Sequence, residues 1–170
     1  AEEFRAGAAE GQPRGSVRYS AQEKRGRYKV AVKGKPVHIV QMPSSRGGGQ
    51  LLLHELIHAA TWRIIDPTST RWGFKAEPAE RAARHDQARK DLADLLVVVR
   101  SKARGDGAVS HHTKYGIKNI DELLAVGLSD APTQRWLDSI PYSHGKTAWS
   151  RFVEIVRKAI GLEPKHQSAL

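Results

Sequence analysis

The chain contains no cysteine among its 170 residues. Disulfide bonds, thiolate metal ligands and a cysteine nucleophile are therefore excluded, and any bound metal must be held by His, Asp or Glu. Long apolar runs are also lacking, since the longest extends only from Leu95 to Val99, whereas a membrane-spanning helix needs ~20 residues. The N-terminus has no apolar signal-peptide segment. These absences predict that the chain has a cytoplasmic location and does not contact a membrane.

Acidic residues are scarce relative to basic ones. Lys and Arg number 28 against 18 Asp and Glu, which gives a formal charge of +10 and a pI near 10.1. Such an excess predicts non-specific attraction to nucleic acid or other acidic partners, but says nothing about fold. The first residue is Ala rather than Met, which suits either a segment of a longer polypeptide or a trimmed chain.

The length and the 39% hydrophobic content predict one compact domain. We expect a disordered N-terminal segment at 1–15, the domain at 16–162 and a flexible tail at 163–170. A strand is predicted at 36–42 by its β-branched residues, and a strand or hairpin arm between residues 23 and 35 by alternating apolar positions. Apolar periodicity and Pro or Gly boundaries predict five helices, at 50–64, 78–104, 119–128, 133–140 and 147–160. The fold class is therefore α+β, mainly α-helical.

The first predicted helix carries a chemical motif, His54-Glu55-Leu56-Ile57-His58. Residues four apart share a helix face, so both imidazoles can reach one metal ion. Glu55 lies about 100° around the helix, where it can act as general base on water instead of binding the metal. The rest of the helix is apolar on nearly every side, and burying three polar side chains there without a partner costs several kcal/mol. A metal ion explains all three at once, whereas the alternative, two histidines satisfied in the core, must also account for the carboxylate beside them.

A catalytic zinc needs a third protein ligand. The long form of the motif, with a downstream glycine and third histidine, is excluded because Thr61 and Ile64 occupy those positions. Glu122, on the apolar helix at 119–128, is the best candidate, although an interaction with the helix dipole is a serious alternative reading. That alternative applies more strongly to Asp121. Weaker candidates lie in a densely charged stretch expected to be solvated, or in loops where a surface histidine is the commoner case: Glu77, Glu80, His85, Asp86, His111, His112 and His144.

The sequence resembles the gluzincin-like metallopeptidase domains of large polyvalent proteins of phages and conjugative elements. The resemblance covers about residues 36–162 and rests on four pieces: the strand at 37–42, the helix segment 51–61, the segment Tyr115-Gly116-Ile117-Lys118-Asn119-Ile120-Asp121-Glu122-Leu123-Leu124-Ala125, and the end of the domain at 149–153 and 160–162. The motif of the first helix is specific for zinc peptidases in general, whereas the other pieces are weaker.

The resemblance implies a zincin-like domain with a small N-terminal β-sheet or hairpin packed on the active-site helix. It implies Zn²⁺ on His54, His58 and Glu122, Glu55 as base, and a parent protein with several activities. The location could then also be a virion or a host cell into which the protein is delivered. One departure is Val126, which stands where a second glutamate is expected. Residues 66–110 match nothing in the family.

The predicted activity is that of a zinc metalloendopeptidase acting on a protein or peptide. It also needs a donor for the oxyanion, for which Tyr115 is the first candidate and Tyr142 and His144 are alternatives. Ordinary packing is the competing reading for either tyrosine. An effector or toxin domain would share this chemistry and differ only in its target.

The main alternative is a basic nucleic-acid-associated module with a structural or degenerate zinc site. It predicts basic residues clustered on one face with aromatics between them, whereas Lys and Arg are spread over the sequence. The clearest concentration extends from Arg18 to Lys35 and contains Tyr19 and Tyr28, and a solubilising arm is its competing reading. A zinc-dependent deaminase is disfavoured because its cysteine pair is absent.

Overall fold

The computed structural model describes residues 14–20, 27–33, 35–43, 49–66, 76–107 and 109–162. Most of these residues are helical, which confirms the prediction of a mainly α-helical chain. Residues 1–13 and 163–170, where disorder and a flexible tail are expected, lie outside the described residues, and Arg14 and Gly15 already belong to the first strand. No helix in the described ranges is long and apolar enough to cross a lipid bilayer.

Three strands form one N-terminal sheet. They are β1 (Arg14–Ser20), β2 (Arg27–Lys33) and β3 (Lys35–Pro43), in the order β1-β3-β2. β1 pairs in parallel with β3, and β2 pairs with β3 antiparallel. β3 lies over the strand predicted at 36–42, whereas β1 has no counterpart in the sequence analysis. Val40 of β3 is only 3% exposed, and β2 and β3 both contact the first helix.

Six helices follow the sheet. They are α1 (Gly49–Ile65), α2 (Ala79–Gly105), α3 (His111–Gly116), α4 (Ile120–Ser129), α5 (Ala131–Asp138) and α6 (Ala148–Ala159). Five of them match predicted helices to within two residues at every end. Gly161, at φ 78°, follows the last helix in the left-handed conformation that glycine adopts most easily.

Helix α3 corrects the sequence analysis, which placed His111 and His112 in a polar loop. The Ser110 side chain caps this helix by accepting a hydrogen bond from the Thr113 amide. The Thr113 hydroxyl is buried and lies 3.0 Å from that of Thr133 on α5. A cap and one buried hydroxyl contact thus stabilise a six-residue helix that has no apolar periodicity.

The hydrophobic core lies between α2, α4 and α6. Its centre contains fully buried side chains of these helices, including Leu92, Leu95, Leu123, Leu124, Phe152 and Ile155. α4 also packs against α1. One face of α4 therefore contacts the core while its first turn is held against the motif helix.

The charged first half of α2 is less solvated than predicted. His85 is 7% exposed, and its Nδ1 lies 2.8 Å from a carboxylate oxygen of Glu77. The other oxygen of Glu77 pairs with Arg63 of α1. The expectation of a solvated segment is therefore wrong for Glu77 and His85, whose side chains lie in a largely buried polar network between α1 and the start of α2.

Candidate metal centre

Helix α1 buries all three polar residues of its motif. His54, Glu55 and His58 are 8%, 5% and 6% exposed. The two imidazoles meet edge to face, and their Nε2 atoms lie 3.1 Å apart. The one-turn spacing thus brings two ring nitrogens to a common point, as the sequence predicts.

Helix α4 delivers the carboxylate. The Asn119 side chain caps this helix and accepts a hydrogen bond from the Glu122 amide at 2.8 Å. The cap fixes Glu122 in the first helical turn, which is the turn that faces α1. Its Oε2 lies 3.3 Å from Nε2 of His54 and 3.7 Å from Nε2 of His58.

These three side chains form a group suited to a metal ion. Their ligand atoms lie within 4.8 Å of one another, and no other such group of three occurs in the described part of the chain. Zinc binds nitrogen and oxygen at about 2.0–2.2 Å, so tetrahedral ligand atoms are separated by about 3.3 Å. The measured separations of 3.1, 3.3 and 3.7 Å fit that spacing. Oε2 of Glu122 is also buried without a hydrogen-bond partner, which a cation would supply.

Two further side chains contact the candidate ligands through the atoms that do not face the centre of the trio. Oδ1 of Asp121 lies 2.7 Å from Nδ1 of His58, and the Tyr115 hydroxyl donates to Oε1 of Glu122 at 2.7 Å. From the sequence, Asp121 is a weak ligand candidate or a partner of the helix dipole, and Tyr115 is an oxyanion donor or a packed side chain. A carboxylate next to a proposed ligand is a sequence signal for this supporting role, because metal-binding histidines usually donate their second N–H to such a group.

Burial and proximity shift three pKa values at the site. Burial raises the pKa of Glu55, and the nearby imidazoles only partly oppose this effect. Burial lowers the pKa of His58, but the hydrogen bond with Asp121 outweighs it, so the net shift is upward. For Glu122, burial raises the pKa, whereas the adjacent His54 imidazole and the hydrogen bond from Tyr115 lower it below its usual value. Glu122 is therefore favoured as the anion and Glu55 as a group that accepts a proton more readily.

Helix α2 fixes the start of α4. Arg100 donates through Nε to the Ile117 carbonyl at 2.7 Å and through a terminal nitrogen to the Lys118 carbonyl. Both carbonyls lie in the short connection just before the Asn119 cap. The stretch 66–110, to which the sequence analysis could assign no role, thus contains a residue that holds the backbone next to the ligand helix.

The weaker ligand candidates stay outside the trio. Glu80 and Asp86 form ion pairs along α2 with Arg84 and Arg89. His111 and His112 are exposed on α3, and His144 is exposed in a loop at φ 51°. Tyr142, the alternative oxyanion donor, packs partly buried against the hydrophobic core.

Val126 stands at the position where the resemblance leads us to expect a second glutamate. Val126 is fully buried. A Cβ added to Gly116 would lie 2.8 Å from the Cβ of Val126. A carboxylate at position 126 would be buried at this close contact between α3 and α4, which is costly unless the carboxylate finds a partner. Asp121 supplies the supporting carboxylate from a different position of the same helix.

Comparison with known protein families, with curated proteins and with solved structures finds no match to this chain.

Proposed function

We propose that the chain is a zinc-dependent metallopeptidase that hydrolyses a protein or peptide substrate. The observation that carries this proposal is the convergence of His54, His58 and Glu122, with the unpartnered Oε2 of Glu122 buried among them. Two neutral nitrogen donors and one carboxylate form a ligand set that suits zinc, and three protein ligands leave a fourth position open for catalysis. A structural site would more commonly be closed by four ligands.

Glu55 is the proposed general base. When bound, zinc would act as a Lewis acid that polarises the substrate carbonyl and lowers the pKa of the water bound to it to about 7. Glu55 is buried beside the ligands, and burial raises its pKa toward the range in which a carboxylate both accepts and returns a proton. It would take a proton from the attacking water and deliver it to the leaving amine.

Tyr115 and Asp121 receive supporting roles in this proposal. The Tyr115 hydroxyl is engaged with Glu122, so we assign it to holding that carboxylate; a role as oxyanion donor would require it to leave this contact. Asp121 orients His58. Both assignments place the supporting groups on the same short segment as the third ligand.

We further propose that the domain is zincin-like and belongs to a larger polyprotein of a phage or mobile element. The support is the order of its parts: a small sheet, the motif helix, and a later helix that provides the glutamate. This proposal is compatible with a peptidase that acts in the cytoplasm, in a virion, or in a host cell after delivery.

The first test is metal content, measured by elemental analysis together with cleavage of a mixed peptide library. We expect one zinc per wild-type chain, zinc without cleavage in Glu55→Gln, and weakened zinc binding in Glu122→Ala. Glu80→Gln, whose parent side chain is 89% exposed on α2, serves as the matched carboxylate control and should keep both properties.

Two results would count against the proposal. A wild-type chain that takes up no zinc when it is supplied would remove the metal site altogether. Zinc uptake with no cleavage by wild type would leave a structural zinc in a basic module as the better account.

A further inference from the structure

Backbone pairing determines which residues of the N-terminal sheet share a face. Residues opposite one another in a register lie on the same face, and alternate residues along a strand lie on opposite faces. Arg18 pairs with Gln41, which pairs in turn with Arg27. Lys33 pairs with Lys35. The same pairing and alternation, applied along all three strands, place every basic residue of the strands on one face. These residues are Arg14, Arg18, Arg27, Lys29, Lys33 and Lys35.

The opposite face is the apolar one. Val17 and Tyr28 both pair with Val40. Val40 is buried, and its strand β3 contacts α1. Tyr19 falls on this face as well, opposite Met42. The basic face is therefore the one directed away from Val40, and its strand positions include no acidic residue.

The segment that contains the sheet carries most of the chain's net charge. Residues 14–43 contain eight Lys or Arg and one acidic residue, Glu23, and so carry seven of the ten net positive charges. From the sequence, Lys and Arg are spread over the chain and are most concentrated from Arg18 to Lys35, without an assignment to one face. The register of the three strands supplies that face.

We propose that the basic face, defined by these six residues, binds the phosphate backbone of duplex nucleic acid. The cations of β2 extend from Arg27 to Lys33, about 20 Å of strand. A duplex carries about 12 phosphates over that length, since it has one charge per ~1.7 Å of axis. Three of the six cations are arginines, whose planar fork suits bidentate phosphate contacts.

The distribution of aromatic residues favours a duplex over a single strand. Proteins that bind single strands stack bases on aromatic side chains within a basic groove. Here Tyr19 and Tyr28, the aromatic residues of the strands, share the face of Val40 and not the basic face. The basic face combines charge with an absence of stacking groups at its strand positions, which suits backbone contacts that are independent of base sequence.

The test measures affinity of the full chain for a 20-base-pair duplex by fluorescence anisotropy over a range of salt concentrations. The variant replaces Arg18, Arg27 and Lys29 by Gln. The matched control replaces Arg81, Lys90 and Lys102 by Gln, which removes the same charge from exposed positions of α2. Circular dichroism checks that both variants are folded. A chelator in the buffer removes zinc, so that the measured affinity does not depend on the metal site.

We expect the sheet variant to bind the duplex at least tenfold more weakly at low salt. Its slope of log K against log salt should be shallower by about 2.7, since each phosphate contact contributes about 0.9. The control should change affinity less than threefold. Equal losses in both variants would show attraction to net charge alone and would overturn the proposal.

Three other probes test which class of partner binds the basic face. A single strand of 20 nucleotides, polyglutamate and phosphatidylserine vesicles are tested at equal charge concentration. Weaker binding of all three than of the duplex supports the assignment. Tighter binding of any one of them would overturn it in favour of that class of partner. Because none of these readouts uses peptide cleavage, failure here leaves the peptidase proposal standing, and the reverse also holds.

Discussion

Oδ1 of Asp121 lies 2.7 Å from Nδ1 of His58, on the side of the imidazole ring away from the Nε2 that faces His54 and Glu122. When Nδ1–H of the neutral ring donates to this carboxylate, Nε2 presents its lone pair to the site, which is the tautomer that a metal requires. Asp121 and Glu122 are neighbours in the first turn of α4. One helical turn thus provides both a proposed ligand, Glu122, and the group that would orient another, His58.

Removal of this carboxylate should weaken zinc binding. For Asp121→Ala we expect a 10- to 100-fold loss of zinc affinity, because supporting partners of ligand histidines typically contribute that much. Competition with a chromophoric chelator measures the change. Asp94→Ala, an exposed carboxylate on α2, is the control and should match wild type. An Asp121→Ala chain with wild-type affinity would show that the contact does not orient the ligand.

Zinc should stabilise the fold, because its ligands come from two separate helices. At a free concentration 100-fold above Kd, zinc adds about 2.7 kcal/mol to the free energy of unfolding. For a domain of this size the melting temperature should rise by about 5–11 °C. Magnesium at the same concentration should have little effect, since it prefers all-oxygen sites with several waters.

The same thermal measurement on His58→Ala gives the contrast. Loss of one of three ligands should remove most of the zinc-dependent rise in melting temperature. A rise equal to that of wild type would place the stabilising zinc elsewhere in the chain.

The sequence predicts the features that depend on local spacing. The four-residue separation of His54 and His58 determines their common face, and the apolar surroundings of Glu122 indicate its burial. What it does not reveal depends on contacts between distant segments. The parallel pairing of β1 with β3 is one case. The approach of Asp121 to His58 is another, since it requires α4 to lie against α1 in one particular orientation.

A close contact at Gly127 positions α4 on the core. A Cβ at this residue would lie 2.8 Å from the Cζ of Phe152, which is fully buried. Gly127→Ala should therefore lower the free energy of unfolding by about 1–3 kcal/mol, although alanine is the better helix former. Urea denaturation measures the effect. Gly105→Ala, at the end of α2 with no atom within 4 Å of the added Cβ, should be neutral or slightly stabilising, and equal effects would refute the packing argument.

Glu154 on α6 should make stability depend on pH in the acidic range. Its oxygens lie 2.7 Å from Nζ of Lys146 and 3.1 Å from Nζ of Lys158. Hydrogen bonds from these two lysines lower its pKa to about 2. Since the folded pKa lies below the unfolded value near 4.5, the stabilisation is complete above that value and is lost as the pH falls toward 2.

Glu154→Gln removes this ionisation and so isolates its contribution. Both lysines are about half exposed and solvent screens them, so we expect the variant to lose about 1 kcal/mol at pH 7. The difference between wild type and variant should be constant above pH ~5 and shrink to nothing near pH ~2, as followed by urea denaturation at a series of pH values. Glu80→Gln, with its parent carboxylate 89% exposed, should show a much smaller difference. A Glu154→Gln difference that persists at the lowest pH would mean that Glu154 stabilises α6 through packing rather than charge.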